Sequence, residues 1–228
     1  MGADGIESDV HLSKEKIPIF FHDDKVEFQG RVVTPSSLTL KKLRSINLKN
    51  ERKIPTVEEV FHYFKNKTTE QGEPIRYSLD LKTLDMGFQV IKLAEEIGIA
   101  EFVELTPNDN YLTFWKYIAE FRKQSNKIQI VDSAHFDFEW LKKLFGKMYY
   151  QNWEKFREFG LKGVNLKADR ATDEAIGRIK AHGLIVYVWD CHTHEKIKTF
   201  CQKNVDALYT NYPDVAVKAR NEQYSQAY

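Results

Sequence analysis

The sequence predicts an α/β fold built on a parallel sheet, and three observations lead there. Short β-rich runs alternate with stretches of helical periodicity from one end of the chain to the other. Several of the helical stretches carry their own start and stop chemistry. At 228 residues the chain is long enough for one such domain to bury a full core. Alternation alone leaves two arrangements open, a sheet wound flat or one closed into a barrel.

In chain order, the strand candidates are Ile6–Val10, Ile17–His22, Tyr77–Lys82, Phe102–Thr106, Ile128–Val131, Gly163–Lys167, Leu184–Trp189 and Ala207–Thr210. Between them, Val57, Val60, Phe61 and Phe64 follow the i, i+3, i+4, i+7 stripe of an amphipathic helix. Thr56 and Glu59 form a capping box, with Pro55 just ahead of it. Val90, Leu93, Ala94 and Ile97 repeat the stripe, and Gly98 stands where a C-terminal cap belongs. Leu112, Trp115 and Ala119 mark another helix; Ala175, Ile176 and Ile179 mark one before Gly183; Ile197, Phe200 and Cys201 mark the last full one. Only six residues separate Val10 from Ile17, too few for a crossover helix, so Ile17–His22 is expected as a hairpin partner rather than a barrel stave. Seven staves remain. A single domain over residues 1–228 is expected, with an irregular insertion over about 29–54, helical near Leu38–Leu43, and a polar, terminally helical tail over about 214–228.

The composition excludes several classes. Lys+Arg of 34 against Asp+Glu of 33 leaves a net charge of +1, without the concentrated basic field that binding to nucleic acid requires, although a local basic patch stays open. No apolar run is long enough to span a membrane, and the first residues lack the basic and apolar regions of a signal peptide. Cys191 and Cys201 are too few for a disulfide framework, so a reducing, cytoplasmic setting is expected. Cys191, His192 and His194 lack the second ligand pair that a zinc site needs.

The chemistry begins at Glu7-Ser8-Asp9. Residues two apart on a strand share a face, and two carboxylates on an inward face are costly unless a cation compensates them. Oxygen ligands of that kind suit Mg²⁺ or Ca²⁺; the other reading is a solvated edge strand. His22 closes the apolar run Phe20-Phe21, where it is either a hydrogen-bonded structural residue or a proton donor to a leaving alkoxide. Asp80 and Lys82 again share a face. They read either as a third carboxylate with a phosphate-contacting lysine, or as an ordinary charge pair at a strand end. His11 shares the face of Asp9 by the same period. The aromatics Phe138, Trp140, Phe145, Tyr149, Tyr150, Trp153 and Phe156 read as core and helix packing ahead of a lipid-facing surface.

Taken together, Gly2-Ala3-Asp4-Gly5-Ile6-Glu7-Ser8-Asp9-Val10, Ile17-Pro18-Ile19-Phe20-Phe21-His22-Asp23, Ile54-Pro55-Thr56-Val57-Glu58-Glu59-Val60, Leu79-Asp80-Leu81-Lys82, Gly183–Trp189 and Val205–Pro213 resemble, in order and over nearly the whole chain, the glycerophosphodiester phosphodiesterase family. The resemblance implies a TIM-type (β/α) barrel of the phospholipase C-like phosphodiesterase superfamily, lacking the family's first strand and helix. It implies a hydrolase that uses a divalent cation, Mg²⁺ or Ca²⁺, to split glycerophosphodiesters into glycerol 3-phosphate and an alcohol, with lysophospholipids as possible further substrates. Glu7, Asp9 and Asp80 would bind the metal, His22 would be one of two catalytic histidines, Lys82 would act on the phosphate, and Trp189 would line the glycerol end of the pocket. These positions fall at strand C-terminal ends, where barrel active sites are built.

The sequence departs from the family pattern in three places. The opening His-Arg-Gly strand and the Glu-Asn-Thr segment after it have no counterpart, the usual Trp-Thr-Val-Asn reads Trp189-Asp190-Cys191-His192, and Asn211 stands for the usual Asp before Tyr-Pro. The missing strand would have carried the other histidine. A second expectation therefore stands beside the enzyme: a non-catalytic chain that binds metal and phosphate without turnover. A third, some other barrel for phosphate-bearing ligands, rests on fold analogy alone.

Overall fold

A computed structural model describes residues 2–48, 51–107, 111–133 and 153–226. The chain forms two compact units, Gly5–Gln129 and Met1–Asp4 with Ile130–Tyr228.

The first unit runs β1 (Gly5–Leu12), β2 (Pro18–Phe20), β3 (Val26–Phe28), β4 (Arg31–Val33), α1 (Leu40–Arg44), α2 (Val57–Phe64), β5 (Arg76–Leu81), α3 (Leu84–Ile97), β6 (Val103–Pro107) and α4 (Tyr111–Gln124). The strand β1 is the pivot. It pairs in parallel with β5, Asp9 opposite Asp80, and on its other side antiparallel with β2, Val10 opposite Phe20. The short connection from Val10 thus makes a hairpin, as its length requires. The next chain segment covers the far side of β2: Ile19 bridges to Thr56, and the Phe20 N–H donates to the Pro55 carbonyl at 3.1 Å. On the helix-facing side Val10, Leu79, Val103 and Leu105 have no exposed surface, each contributing about 1.5–3 kcal/mol of apolar burial.

The helices start and stop where local chemistry tells them to. Thr56 and Glu59 exchange hydrogen bonds as a complete capping box at the head of α2. Thr83 accepts from the Met86 N–H to start α3, and Gly98 ends it at φ 80°, a left-handed value that glycine adopts without steric cost. Gly87 lets α3 and α4 approach, because a Cβ there would lie 2.3 Å from the Phe121 ring.

The stretch expected to be an irregular insertion is more ordered than that. The strands β3 and β4 form a hairpin with Val26 opposite Val33, turning at Gln29 (φ 53°) and Gly30 (φ 72°). Two consecutive positive φ values make a tight turn whose twist suits a hairpin. With α1 it packs a small core of its own from Val26, Leu38 and Leu43 against Ile19 and Ile54.

The second unit runs β7 (Gln129–Asp132, from Ile130 onward), α5 (Trp153–Glu158), β8 (Gly163–Lys167), α6 (Asp173–Ala181), β9 (Ile185–Trp189), α7 (His194–Gln202), β10 (Ala207–Leu208) and α8 (Pro213–Gln226). Here β7, β8, β9 and β10 pair in parallel, with Asn165 opposite Tyr187 and Lys167 opposite Trp189. Gly163 is required by the close approach of β9, since a Cβ would meet the Ile185 carbonyl oxygen at 2.5 Å. Asp4 is held to this unit by Arg220, Nη1 to Oδ2 at 2.6 Å. Of the aromatic run, Phe156 is buried and Trp153 stacks on His182 at 4.1 Å; Phe138, Trp140, Phe145, Tyr149 and Tyr150 lie outside the described residues. No described helix is long and apolar enough to cross a membrane.

Candidate active site

The register of β1, β5 and β6 sorts their side chains into two rows. Facing partners on parallel strands share a side, and alternate residues return to it. One side is the apolar layer described above. The other carries Glu7, Asp9 and His11 from β1, Ser78 and Asp80 from β5, and Glu104 and Thr106 from β6. A parallel sheet is ordinarily apolar on both faces, so a polar row on an inner strand marks a site rather than a core.

Glu7, Asp9 and Asp80 are therefore neighbours on one face. Burial, and after it the charges of Glu7 and Asp9, push the Asp80 carboxyl up to about 7. Glu7 is exposed to solvent, yet desolvation by its neighbours and then the Asp9 charge raise it as well. Two acids whose surroundings oppose their ionisation, on one face with a third carboxylate, leave a deficit of positive charge. Thr106, opposite Asp80, is near enough to oppose the Asp80 shift, although its buried hydroxyl makes no hydrogen bond of ordinary geometry among the described residues. Deeper on the same face the fully buried Glu104 pairs with Arg76 at 3.2 Å.

One cation does reach this cluster. Lys82, the residue after β5, brings its ammonium 3.8 Å from Asp9 Oδ1, 2.6 Å from Asp24 Oδ1 and 3.5 Å from His11 Nε2, and donates to the His22 carbonyl at 3.4 Å. It thus pins the loop after β2 to the strand that carries the acids. His11 is buried, and burial followed by the Lys82 charge lowers its pKa, which favours a neutral ring accepting from Lys82. Lys82 in turn lowers Asp24 through their hydrogen bond and its charge.

His22 stands beyond the end of β2 with its imidazole in solvent, 88% exposed. Its Nδ1 lies 2.8 Å from Asp23 Oδ1. That hydrogen bond, and after it the Asp9 charge, raise the pKa of His22 above its ordinary value. With Nδ1 engaged by a carboxylate, Nε2 is the nitrogen free to exchange a proton with a ligand.

Trp189 belongs to the other unit. It ends β9 with 37% of its surface exposed, and the ammonium of Lys167, its partner on β8, sits 5.5 Å from its ring centre. Cys191, two residues on, is fully buried, and burial pushes its thiol up to about 11, so it stays protonated. The structure thus brings Glu7, Asp9, Asp80 and Lys82 together, holds the backbone of His22 against Lys82, and leaves Trp189 among charged neighbours of its own. Asp24 and Glu104 had no assigned role in the sequence. Strand period did flag His11, but not its burial against Lys82.

A family model described as the glycerophosphoryl diester phosphodiesterase family matches residues 1–215. The chain belongs to that family. A glycerophosphodiester phosphodiesterase of Bacillus altitudinis is 27% identical over 244 residues, covering 97% of this chain and 88% of its own length. Among solved structures, a glycerophosphodiester phosphodiesterase from Parabacteroides distasonis superposes with a TM-score of 0.73 at 19% identity, over 100% of this chain and 86% of that one. An Oleispira antarctica phosphodiesterase, solved with the product sn-glycerol-3-phosphate, gives a TM-score of 0.71 at 16% identity, over 96% and 86%. These likenesses show the TIM-type α/β fold that the sequence leads one to expect. Membership makes the chain a phosphoric diester hydrolase of the glycerophosphodiester class.

Proposed function

We propose that this chain hydrolyses glycerophosphodiesters to sn-glycerol 3-phosphate and the free alcohol, with a divalent cation held by Glu7, Asp9 and Asp80. The observation that carries the reading is the single face shared by those three acids, two of them pushed toward the protonated form by burial and by each other's charge. Among the described residues no three such side chains close into a finished cage. The donor set nevertheless fits a hard cation: all ligating atoms are carboxylate oxygens, and a bound charge would relieve the repulsion among them. Such an ion, when bound, supplies electrostatic stabilisation of a phosphoryl oxygen.

The remaining chemistry belongs to the chain's own side chains. Lys82 carries an ammonium held between Asp9 and Asp24, and is suited to exchange its Asp24 contact for a phosphate oxygen as negative charge builds there. His22, held by Asp23 through Nδ1, donates from Nε2 to the departing alkoxide, and the Asp23 contact that raises its pKa favours this protonated form. The substrate is a small water-soluble diester of the kind implied by the product bound to the Oleispira antarctica relative.

The test is release of sn-glycerol 3-phosphate from glycerophosphocholine with Mg²⁺ or Ca²⁺, before and after addition of EDTA. Cation-dependent release supports the proposal. Release unchanged by EDTA would remove the cation from it, and no release under any condition would leave a chain that only binds.

A further inference from the structure

The β3–β4 hairpin and α1 have no part in the scheme above, yet they hold a charge that the chain as a whole does not. Residues 25–53 carry eight lysines and arginines against two acids, which leaves 26 against 31 in the rest of the chain. Six of the eight, Lys25, Arg31, Lys41, Lys42, Arg52 and Lys53, are exposed, and none of them forms an ion pair among the described residues. Arg44 is taken up by Glu59. Phe28 and Arg31 are register partners beside the turn, on the side of the hairpin that sends Val26 into the module's own core. The Lys42 ammonium lies 6.0 Å from the centre of the same Phe28 ring. Two unpaired cations from different elements thus flank one partly buried phenyl group. Val32 takes the opposite side of the hairpin and is 69% exposed, while Leu40, Ile46 and Leu48 keep part of their surface open.

We propose that this module docks the protein on an anionic lipid surface. A lysine already paired with an acid adds little to the field outside the molecule, whereas cations without acids of their own add to one another. The basic field that the overall composition lacks is therefore present locally, within 29 residues. Lipid fits it better than nucleic acid, because the open uncharged surface is aliphatic. Val32 and the edges of Leu40 and Ile46 can enter the headgroup layer while the lysine stems keep their ammoniums at the phosphates. Unpaired bases would instead ask for open rings on which to stack, and the module's one ring, Phe28, packs against its core. Docking needs no turnover, but it bears on the function proposed above. A glycerophosphodiester is what remains when both acyl chains of a phospholipid are hydrolysed, so a chain held on the bilayer stands where a deacylating reaction releases its substrate.

The experiment is cosedimentation of the full chain with vesicles of phosphatidylcholine alone and of phosphatidylcholine mixed with phosphatidylserine, at low and at physiological ionic strength. The wild type should partition onto the anionic vesicles only, and less so as salt is added. Arg31→Gln should weaken that partition about fivefold, and Lys41→Gln with Lys42→Gln about 30-fold. Arg31 lies outside α1, so its variant keeps the test open should the double variant lose the helix. As a control, Lys92→Gln with Lys127→Gln removes the same charge from lysines that already have acid partners, and should change the partition little. Anionic binding with no hydrolysis of glycerophosphocholine would sustain this inference while defeating the phosphodiesterase reading of the chain. Equal binding to neutral vesicles, binding to neither, an equal loss in the control, or tighter binding to a duplex DNA than to anionic vesicles would overturn it.

Discussion

The acids at the ends of β1 and β5 and the acids beyond β8 and β9 answer the same electrostatic problem in opposite ways. Glu7, Asp9 and Asp80 crowd one face, where Lys82 reaches Asp9 at 3.8 Å and is also held by Asp24. Asp169 and Asp190 are each shared by two lysines. The first cluster is left short of positive charge, with two carboxyls forced upward; the second is balanced within itself. A shortfall is what the proposed cation would relieve, whereas the second cluster is compensated by its own lysines. The number of acids would not tell the two apart; their partners do.

The contrast breaks most sharply if one acid is removed from each region. Asp80→Asn should lower kcat by about 10³-fold, while the EDTA-treated protein gains a few degrees in Tm by calorimetry, because a disfavoured buried charge is gone. A fall in Tm together with retained turnover would mean the acids are not in excess. His22→Ala should cost about 10²–10³-fold in kcat with no change in Tm, since the ring is exposed and packs against nothing that a melt would register. Asp190→Asn should do the reverse of Asp80→Asn, lowering Tm by the equivalent of about 1 kcal/mol, because Lys167 and Lys196 lose one of their two common partners. A stabilised Asp190→Asn would make the two regions alike.

The smallest effect concerns pH. As the proposed proton donor, His22 would act in its protonated form, so turnover should be lost as pH rises through its pKa. The Asp23 hydrogen bond raises that pKa, which carries activity to higher pH. Asp23→Asn should move the alkaline limb of kcat toward acid. An unmoved limb would assign the limb to another group.

Most strand positions were legible because their β-rich runs are four or more residues long, and helices such as α2 announce themselves by a capping box. The hairpin at Val26–Val33 was not. Its strands have three residues each, too short to carry a period, and its only local signal is Gln29-Gly30 at the turn. In the site, the rule of two placed Glu7 with Asp9 and Asp80 with Lys82, but register decided that Asp9 faces Asp80. No spacing rule links Lys82 to Asp24, which lie 58 positions apart and meet only because the loop after β2 folds back over β5. The pairing of Lys167 with Trp189 is equally a product of register.

The bridge from Ile19 to Thr56 and the hydrogen bond from Phe20 to Pro55 have a consequence for how the protein behaves in concentrated solution. An edge strand with free donors and acceptors is a template on which a second molecule can add a strand. Here the chain returns to take up that side of β2 itself, at a position where Pro55 has no N–H to offer a further neighbour. Growth of the sheet from one molecule to the next is blocked at β2 by the same residues that lead into α2.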